Sequence, residues 1–512
     1  MNAIDLQVLT GALRAACDEM GAVLVRAAHS ANIKERRDCS TALFNAAGEM
    51  IMQAEHIPVH LGAMPAAVAS VLAEPHAAGV SWVLNDPYRG GTHLPDITVV
   101  TPAFHDGGLL GFAASRAHHA DVGGSVPGSM PADSTTLAEE GVVIAPRVLD
   151  ADAIDELVVQ MRQPAQRRAD LRAQLAANRV GVRRLEELAA RPGARVREAM
   201  SEVLDYAERR MRARLRELAG DGFTAEVRDV LEAREGDLEL RLRVTVADDR
   251  IVLDFAGSAG QHEGNLNCPL AVTRSACYFA VRVLTDADIP ANAGAYRPID
   301  VRAPEGSLLN ARPPGAVVGG NVETSSRVAD MVLAAFGRAL GQGTMNNVTL
   351  GTERADGAAS GGGGFTYYET IGGGQGACAD ADGPSAVHVA MSNTLNTPVE
   401  ALELEFPLRV VEYAVRRGSG GRGRHRGGDG VVRELEALGE MRYSVLAERR
   451  RHAPPGAAGG EPGACGRTLL DGAELEPKAT GTLRPGQRLR LETPGGGGHG
   501  TPEPGSPAVA PP

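Results

Sequence analysis

LELRLRVTVADDRIVLDF, residues 238–255, alternates apolar and polar side chains over its first nine positions, turns at Asp248-Asp249, and returns through a second apolar run. A period of two puts Leu238, Leu240, Leu242, Val244 and Val246 on one face, so the stretch reads as a β-hairpin with one buried side. Upstream the period changes. From 155 to 218 the chain is rich in Ala, Leu, Arg and Glu, with one break at Arg191-Pro192-Gly193. This predicts a long helical pair, its many arginines facing solvent or a partner. Helices that lead directly into a hairpin give a mixed α/β protein, although the strand order is not legible.

Working outward, Leu6, Leu9, Leu13, Ala16, Met20, Leu24 and Ala27 recur at helical spacing over 6–28. Residues 40–53, STALFNAAGEMIMQ, read as a second hairpin turning at 45–48. Short strands are predicted at 82–84, 97–102 and 109–114, and helices at 66–72, 273–284 and 325–340. Beyond Pro407 the chain is strand-like and glycine-rich. The basic run 416–426, broken by four glycines, reads as a mobile loop. The expected organisation is an N-terminal α/β domain at 1–150, a helical segment at 151–225, an α/β domain at 226–406, a β-rich domain at 407–493 and a disordered Pro/Gly-rich tail at 494–512.

The chain has 512 residues, 43% hydrophobic and 23% charged, with a formal net charge of −12. That charge disfavours a nucleic-acid partner, which would require a basic face. Only two of the 52 basic residues are lysine, Lys34 and Lys478. None of the glycine runs therefore carries the lysine of a phosphate-binding P-loop. A Schiff-base mechanism would have to use one of those two. The six cysteines show no CxxC spacing. They read as reduced, mostly buried thiols of a cytoplasmic protein. No secretory signal pattern opens the chain and no apolar run is long enough for a membrane span, so neither export nor membrane insertion is expected.

The chemistry concentrates in residues 85–131, NDPYRGGTHLPDITVVTPAFHDGGLLGFAASRAHHADVGGSVPGSMP. His93 and Asp96 stand just before one predicted strand; His118, His119 and Asp121 stand just after the next. Two imidazoles and a carboxylate from converging strand ends are a suitable ligand set for Mn²⁺, Fe²⁺ or Zn²⁺. Gly90, Gly91, Gly123 and Gly124 would let backbone approach closely. The plainer reading is polar loop residues that cap and turn. The segment IKERRDCST, 33–41, reads chiefly as a solvated helix end, with Cys39 in surroundings that could depress its pKa. His56 and His60, four apart, are candidates for structural roles, substrate contact or ligation. The glycine runs 361–364, 372–376 and 495–498 read as tight turns or mobile loops.

At this point the chain resembles a known family. NIKERRDCSTALFNAAGEMIMQAEHIPVHLGAMP, NDPYRGGTHLPDITVV, RAHHADVGGSVPGSMP, GNLNCPLAVTRSACYF, GGNVETSSRVAD and YYETIGGGQGA are similar to the hydantoinase B/oxoprolinase family, which includes subunits of acetone and acetophenone carboxylases. The resemblance implies a hetero-oligomer with an A-type subunit that binds ATP and activates a carbonyl or amide of the substrate by phosphorylation. It implies a divalent metal, Mn²⁺ favoured over Zn²⁺ or Fe²⁺, held by His93, Asp96 and His118. His119 is the weaker ligand candidate, and either it or Asp121 would relay a proton while metal-bound water opens a cyclic amide. The alternatives are a subunit of an ATP-dependent ketone carboxylase, recognised by a bicarbonate requirement, and a non-catalytic scaffold for the A-type subunit.

Overall fold

The alternation at 238–255 is present in the computed structural model of the chain, which describes residues 3–55, 57–191, 195–352 and 364–502. Leu240, Leu242, Val244 and Val246 are buried while Arg241 and Arg243 between them are exposed. The chain is a mixed α/β protein built on four sheets.

The first sheet is antiparallel and has six strands: β1 (Cys39–Asn45), β2 (Met50–Glu55), β3 (Trp82–Leu84), β4 (Asp96–His105), β5 (Gly108–His118) and β6 (Arg147–Val148). Their order is β2-β1-β5-β4-β3-β6. β4 and β5 run further than the predicted 97–102 and 109–114, because their ends carry buried polar residues, Ser115, Arg116 and His118 among them, which end an apolar run without ending a strand. On one face, Leu43 and Ala113 pack against the Ala3–Ala27 and Pro164–Ala189 helices. Those helices meet closely because position 181 is glycine: a Cβ there would lie 2.4 Å from Met20 Sδ. Phe44, Val100 and Phe112 face the other way, into the main core.

The second sheet is ordered β10-β9-β8-β7, from β7 (Phe223–Ala233), β8 (Gly236–Ala247), β9 (Arg250–Asp254) and β10 (Ile299–Arg302). The helical segment that precedes it differs from the predicted pair. A second break at 159–163 leaves helices Ala151–Val158, Pro164–Ala189 and Val196–Ala219. The first long helix lies on the first sheet, whereas the second carries Met211 and Leu215 into the core under β8. Nor are all its arginines solvated: Arg167 is fully buried, 3.5 Å from Asp170.

The C-terminal part builds the remaining sheets around a separate apolar cluster that includes Leu350, Tyr367, Leu435 and Leu489. The basic run is packed and not loose. Gly420, Gly421, Gly427 and Gly428 are buried, and His425 pairs with His499. Residues 494–502 thread through the same packing and Gly495 to Gly498 are buried. The rest of the predicted tail lies outside the described residues, as do His56 and 361–363. Among the described residues no helix is long and apolar enough to cross a membrane.

Candidate metal centre

Register brings the site together. Asp96, the first residue of β4, is the cross-strand partner of His118, the last of β5. His93 is folded back by a turn in which Asp96 N donates to His93 O at 3.1 Å. One imidazole nitrogen from each histidine and an oxygen of Asp96 all lie within 4.8 Å of one another, and all three residues are buried. Gly91 makes the preceding loop possible, since a Cβ there would be 2.2 Å from Asn85 O.

Two more residues join from neighbouring segments. His118 N donates to Asp38 O at 3.0 Å, which lays the residue before β1 beside the end of β5. His60, on a 3-10 turn at Pro58–His60, points Nε2 at Asp96 Oδ2 from 3.4 Å, with Nδ1 held 2.8 Å from Ser40 Oγ. Asp38, His60 and Asp96 form a second group with ligand atoms within 4.8 Å. The carboxamide of Asn32 lies 3.1 Å from His118 Nδ1. The atom that faces the ring is Asn32 Nδ2; a cation on His118 Nε2 requires the amide to turn and present its oxygen to an Nδ1–H. The ring of Tyr368 is stacked on His118, and Arg36 lies over Tyr368 at 4.7 Å.

Burial pushes the pKa of His118 and of His60 down, against the raising effect of Asp96. Burial alone would raise Asp96, but His93 and His60 outweigh it and hold the carboxyl well below its ordinary range. Burial, with the charge of Asp96, raises Asp38 to about 7 against the opposing effect of Arg36. Both nitrogens of His93, His118 Nε2, His60 Nε2 and Asp96 Oδ1 are buried with no hydrogen-bond partner among the described residues. His93 Nδ1 is 3.1 Å from Asp96 Oδ2, but outside hydrogen-bond geometry. So many orphaned donors and acceptors would be costly in an empty protein interior. An oxygen and nitrogen set of this kind fits a divalent cation.

The two residues expected to relay protons point elsewhere. Successive side chains alternate across a strand end, so His119 faces away from His118. Its Nε2 lies 3.0 Å from Gln174 Oε1 on the Pro164–Ala189 helix, and burial lowers its pKa to about 4. Asp121 accepts bonds from Gly123 N and Gly128 N and is paired with Arg162 at 3.0 Å. Neither lines the cavity over His93, Asp96 and His118, which Asp38, Asn321, Met345, Tyr368 and Thr394 help to enclose. Cys39 is not activated, because burial and then Asp38 raise its pKa. The 33–41 segment is less solvated than expected: Arg36 and Asp38 are buried.

Sequence reasoning passed over Asn32, Asp38, Asn321 and Tyr368. Asp38 sat inside a charge run, and Tyr368 and Asn321 arrive from more than 200 residues away, in family-like segments that gave neither of them a role. The spacing of His56 and His60 was a signal, and the structure brings His60 to the site.

The family model for hydantoinase B/oxoprolinase matches residues 2–502. The chain is 39% identical to 5-oxoprolinase 1 of Arabidopsis thaliana over 98% of its own length but 42% of that protein's, so it spans about two-fifths of that relative. Among solved structures it is similar to the ATP-dependent caprolactamase from Pseudomonas jessenii (TM-score 0.88, 28% identity, 98% of this chain and 91% of that one). It also shares the fold of an acetone carboxylase described for ATP-dependent acetone carboxylation (TM-score 0.83, 19% identity, 97% of this chain and 75% of that one).

Proposed function

Because the chain belongs to the hydantoinase B/oxoprolinase family, we propose that it is the metal-bearing B-type subunit of an ATP-dependent enzyme that hydrolyses the C–N bond of a cyclic amide. The observation that carries this reading is the buried His93, Asp96 and His118 set beside a small cavity, with both His93 nitrogens, His118 Nε2 and Asp96 Oδ1 lacking hydrogen-bond partners among the described residues. The cavity is small, about 20 Å³, far below the roughly 300–1,000 Å³ of drug-sized ligand sites, and leaves no room for a nucleotide. ATP therefore belongs to an A-type partner, in keeping with the absence of a P-loop lysine.

In this reading His93, Asp96 and His118 hold the divalent ion. Mn²⁺ is favoured, and Zn²⁺ and Fe²⁺ suit the same ligands. When bound, such an ion supplies Lewis-acid polarisation of an oxygen and a lowered pKa for water. The chain's own residues do the rest. Thr92 fixes Asp96, its Oγ1 donating to Oδ2 at 2.5 Å, and His60 Nε2 stands 3.4 Å from the same oxygen. Asn32 and Tyr368 fix His118. The proton relay expected of Asp121 or His119 is reassigned to Asp38, which lines the cavity beside Asp96. Apolar walls from Val59, Val322 and Met391 limit water.

The decisive experiment is co-expression with an A-type partner, followed by ATP hydrolysis measured against cyclic amides and ketones. Ring-opened product without incorporation of labelled bicarbonate supports amide hydrolysis. A carboxylated product carrying the label would replace this reading with ketone carboxylation. Full activity of the complex after its metal is stripped would leave the chain a scaffold.

A further inference from the structure

The Ser325–Ala335 helix is entered through a π-helical turn, Gly320–Thr324. Such turns are rare and are frequent at functional sites. Here two glycines permit it: a Cβ on Gly319 would stand 2.6 Å from Asn265 Oδ1, and one on Gly320 would stand 1.8 Å from Asn267 O. The next residue, Asn321, lines the cavity shared by His93, Asp96 and His118. It is 3% exposed, yet its Oδ1 has no hydrogen-bond partner among the described residues.

The neighbouring asparagines are satisfied. Asn265 Nδ2 donates to Pro131 O, Asn267 Nδ2 donates to the carbonyls of His262, Gly264 and Ala316, and Asn347 joins Glu323 to Tyr368. Of these four, only Asn321 has a buried side-chain acceptor with no partner among the described residues. A buried polar atom left unpaired is costly, a cost that a ligand with a matching donor would offset.

We propose that Asn321 recognises the ring amide when the narrow cavity widens to admit it, its Oδ1 accepting the ring N–H and its Nδ2 donating to the ring carbonyl. This rests on the function proposed above and names how its substrate class is chosen. A small ring forces its amide cis, so N–H and C=O lie side by side on one edge. That edge is the complement of a primary carboxamide, and the two close a pair of parallel hydrogen bonds. A ketone offers an acceptor only. An open-chain trans amide shows its donor and acceptor on opposite edges. The pairing selects cyclic amides before any bond is broken.

The test uses the metal-loaded complex with its A-type partner, without ATP, and measures binding of 2-pyrrolidinone and N-methyl-2-pyrrolidinone by calorimetry. The wild-type complex binds the first about tenfold more tightly, since methylation removes the one N–H. Asn321→Ala loses about tenfold for 2-pyrrolidinone and prefers neither ligand, with metal content unchanged. Asn321→Ser, a smaller disturbance, serves if the alanine variant does not fold, and shows the same loss of preference. An equal preference in variant and wild type, or none in the wild type, overturns the assignment. Turnover is read separately. If the binding pattern holds but ATP drives no ring opening, the hydrolytic function falls and the ring subsite stands; if rings are opened with an unaltered KM in Asn321→Ala, the subsite alone falls.

Discussion

Tyr368 lies flat on His118, with ring centroids 4.6 Å apart and planes within 5°. The contact fixes the plane of a candidate ligand from a strand 250 residues downstream. Tyr368 is itself tethered, its hydroxyl donating to Asn347 Oδ1 at 2.9 Å. Outer-shell partners of metal-binding residues typically contribute about 10–100-fold in affinity. Tyr368→Ala is therefore expected to weaken metal binding about tenfold in competition with a chelator. Tyr368→Phe keeps the stack, so its affinity should stay within about threefold of wild type. Equal losses in both variants would place the effect in the hydroxyl and not in the stack.

The adjacent histidines should behave differently. His93→Ala is expected to abolish bound metal and turnover together. His119→Gln, directed at Gln174 and the Pro164–Ala189 helix, should keep stoichiometric metal by elemental analysis. If metal disappears from His119→Gln and persists in His93→Ala, the ligand set is wrong.

Asp121 gives a third separation of roles. It is fully buried and paired with Arg162, and removing one partner of such a pair costs about 3–5 kcal/mol. Asp121→Ala should lower the unfolding free energy from urea melts by an amount of that order while the folded fraction retains its metal. Wild-type stability with loss of turnover would return Asp121 to the reaction.

These predictions show where sequence reading reached and where it stopped. Leu240, Leu242, Val244 and Val246 announced their sheet because each strand repeats its own local pattern. His93, Asp96, His118, His119 and Asp121 were legible as candidates because the residue types and strand ends lie close in sequence; the family resemblance, not the spacing, singled out His93, Asp96 and His118. Whether Asp96 meets His118 depends on the register of β4 on β5, which no residue advertises. Asp38 and Arg36 looked solvated because charges usually are; only the packed structure shows them buried beside Asp96 and Tyr368. The glycine runs carry no side-chain pattern at all, so neither their partners nor the inclusion of 495–498 in the fold was visible.

Glu140 connects the candidate site to pH. Buried, it accepts bonds from Ser134 Oγ and from the amides of Val317 and Val318, just ahead of the turn that carries Asn321. Burial raises its pKa from 4.5 to about 8. An acid with a raised folded pKa contributes its stability below the unfolded value and loses it as pH rises through the folded value. The wild type should therefore lose stability between about pH 4.5 and pH 8. Glu140→Gln, which cannot ionise and keeps an acceptor oxygen, should lose less over that range, by about 2–4 kcal/mol. Urea melts of both proteins at the two ends of the range check this, and parallel pH dependences would rule out Glu140 as the cause.

The last prediction concerns the glycines that close the C-terminal part. Gly421 N donates to Gly496 O, Gly496 N to Gly428 O, and Gly428 N to Gln375 O, each at 2.9 Å, so three segments are laced together through their backbones. Side chains have no room between them. A Cβ on Gly427 would fall 2.0 Å from Gly496 O, and one on Gly496 would fall 2.0 Å from Gln375 O. These contacts are with backbone, which cannot rotate aside as a side-chain tip can. Gly427→Ala or Gly496→Ala must therefore push segments apart and break the bonds that join them, at a cost of about 1–3 kcal/mol or more. Gly439→Ala is the control, because nothing lies within 4 Å of its added Cβ, and less freedom in the unfolded chain should leave it neutral or up to about 1 kcal/mol more stable. Thermal melts of the three variants decide the matter. If Gly427→Ala and Gly496→Ala melt with the control, the runs are spacers after all, and the packing of residues 495–498 contributes nothing to holding the fold.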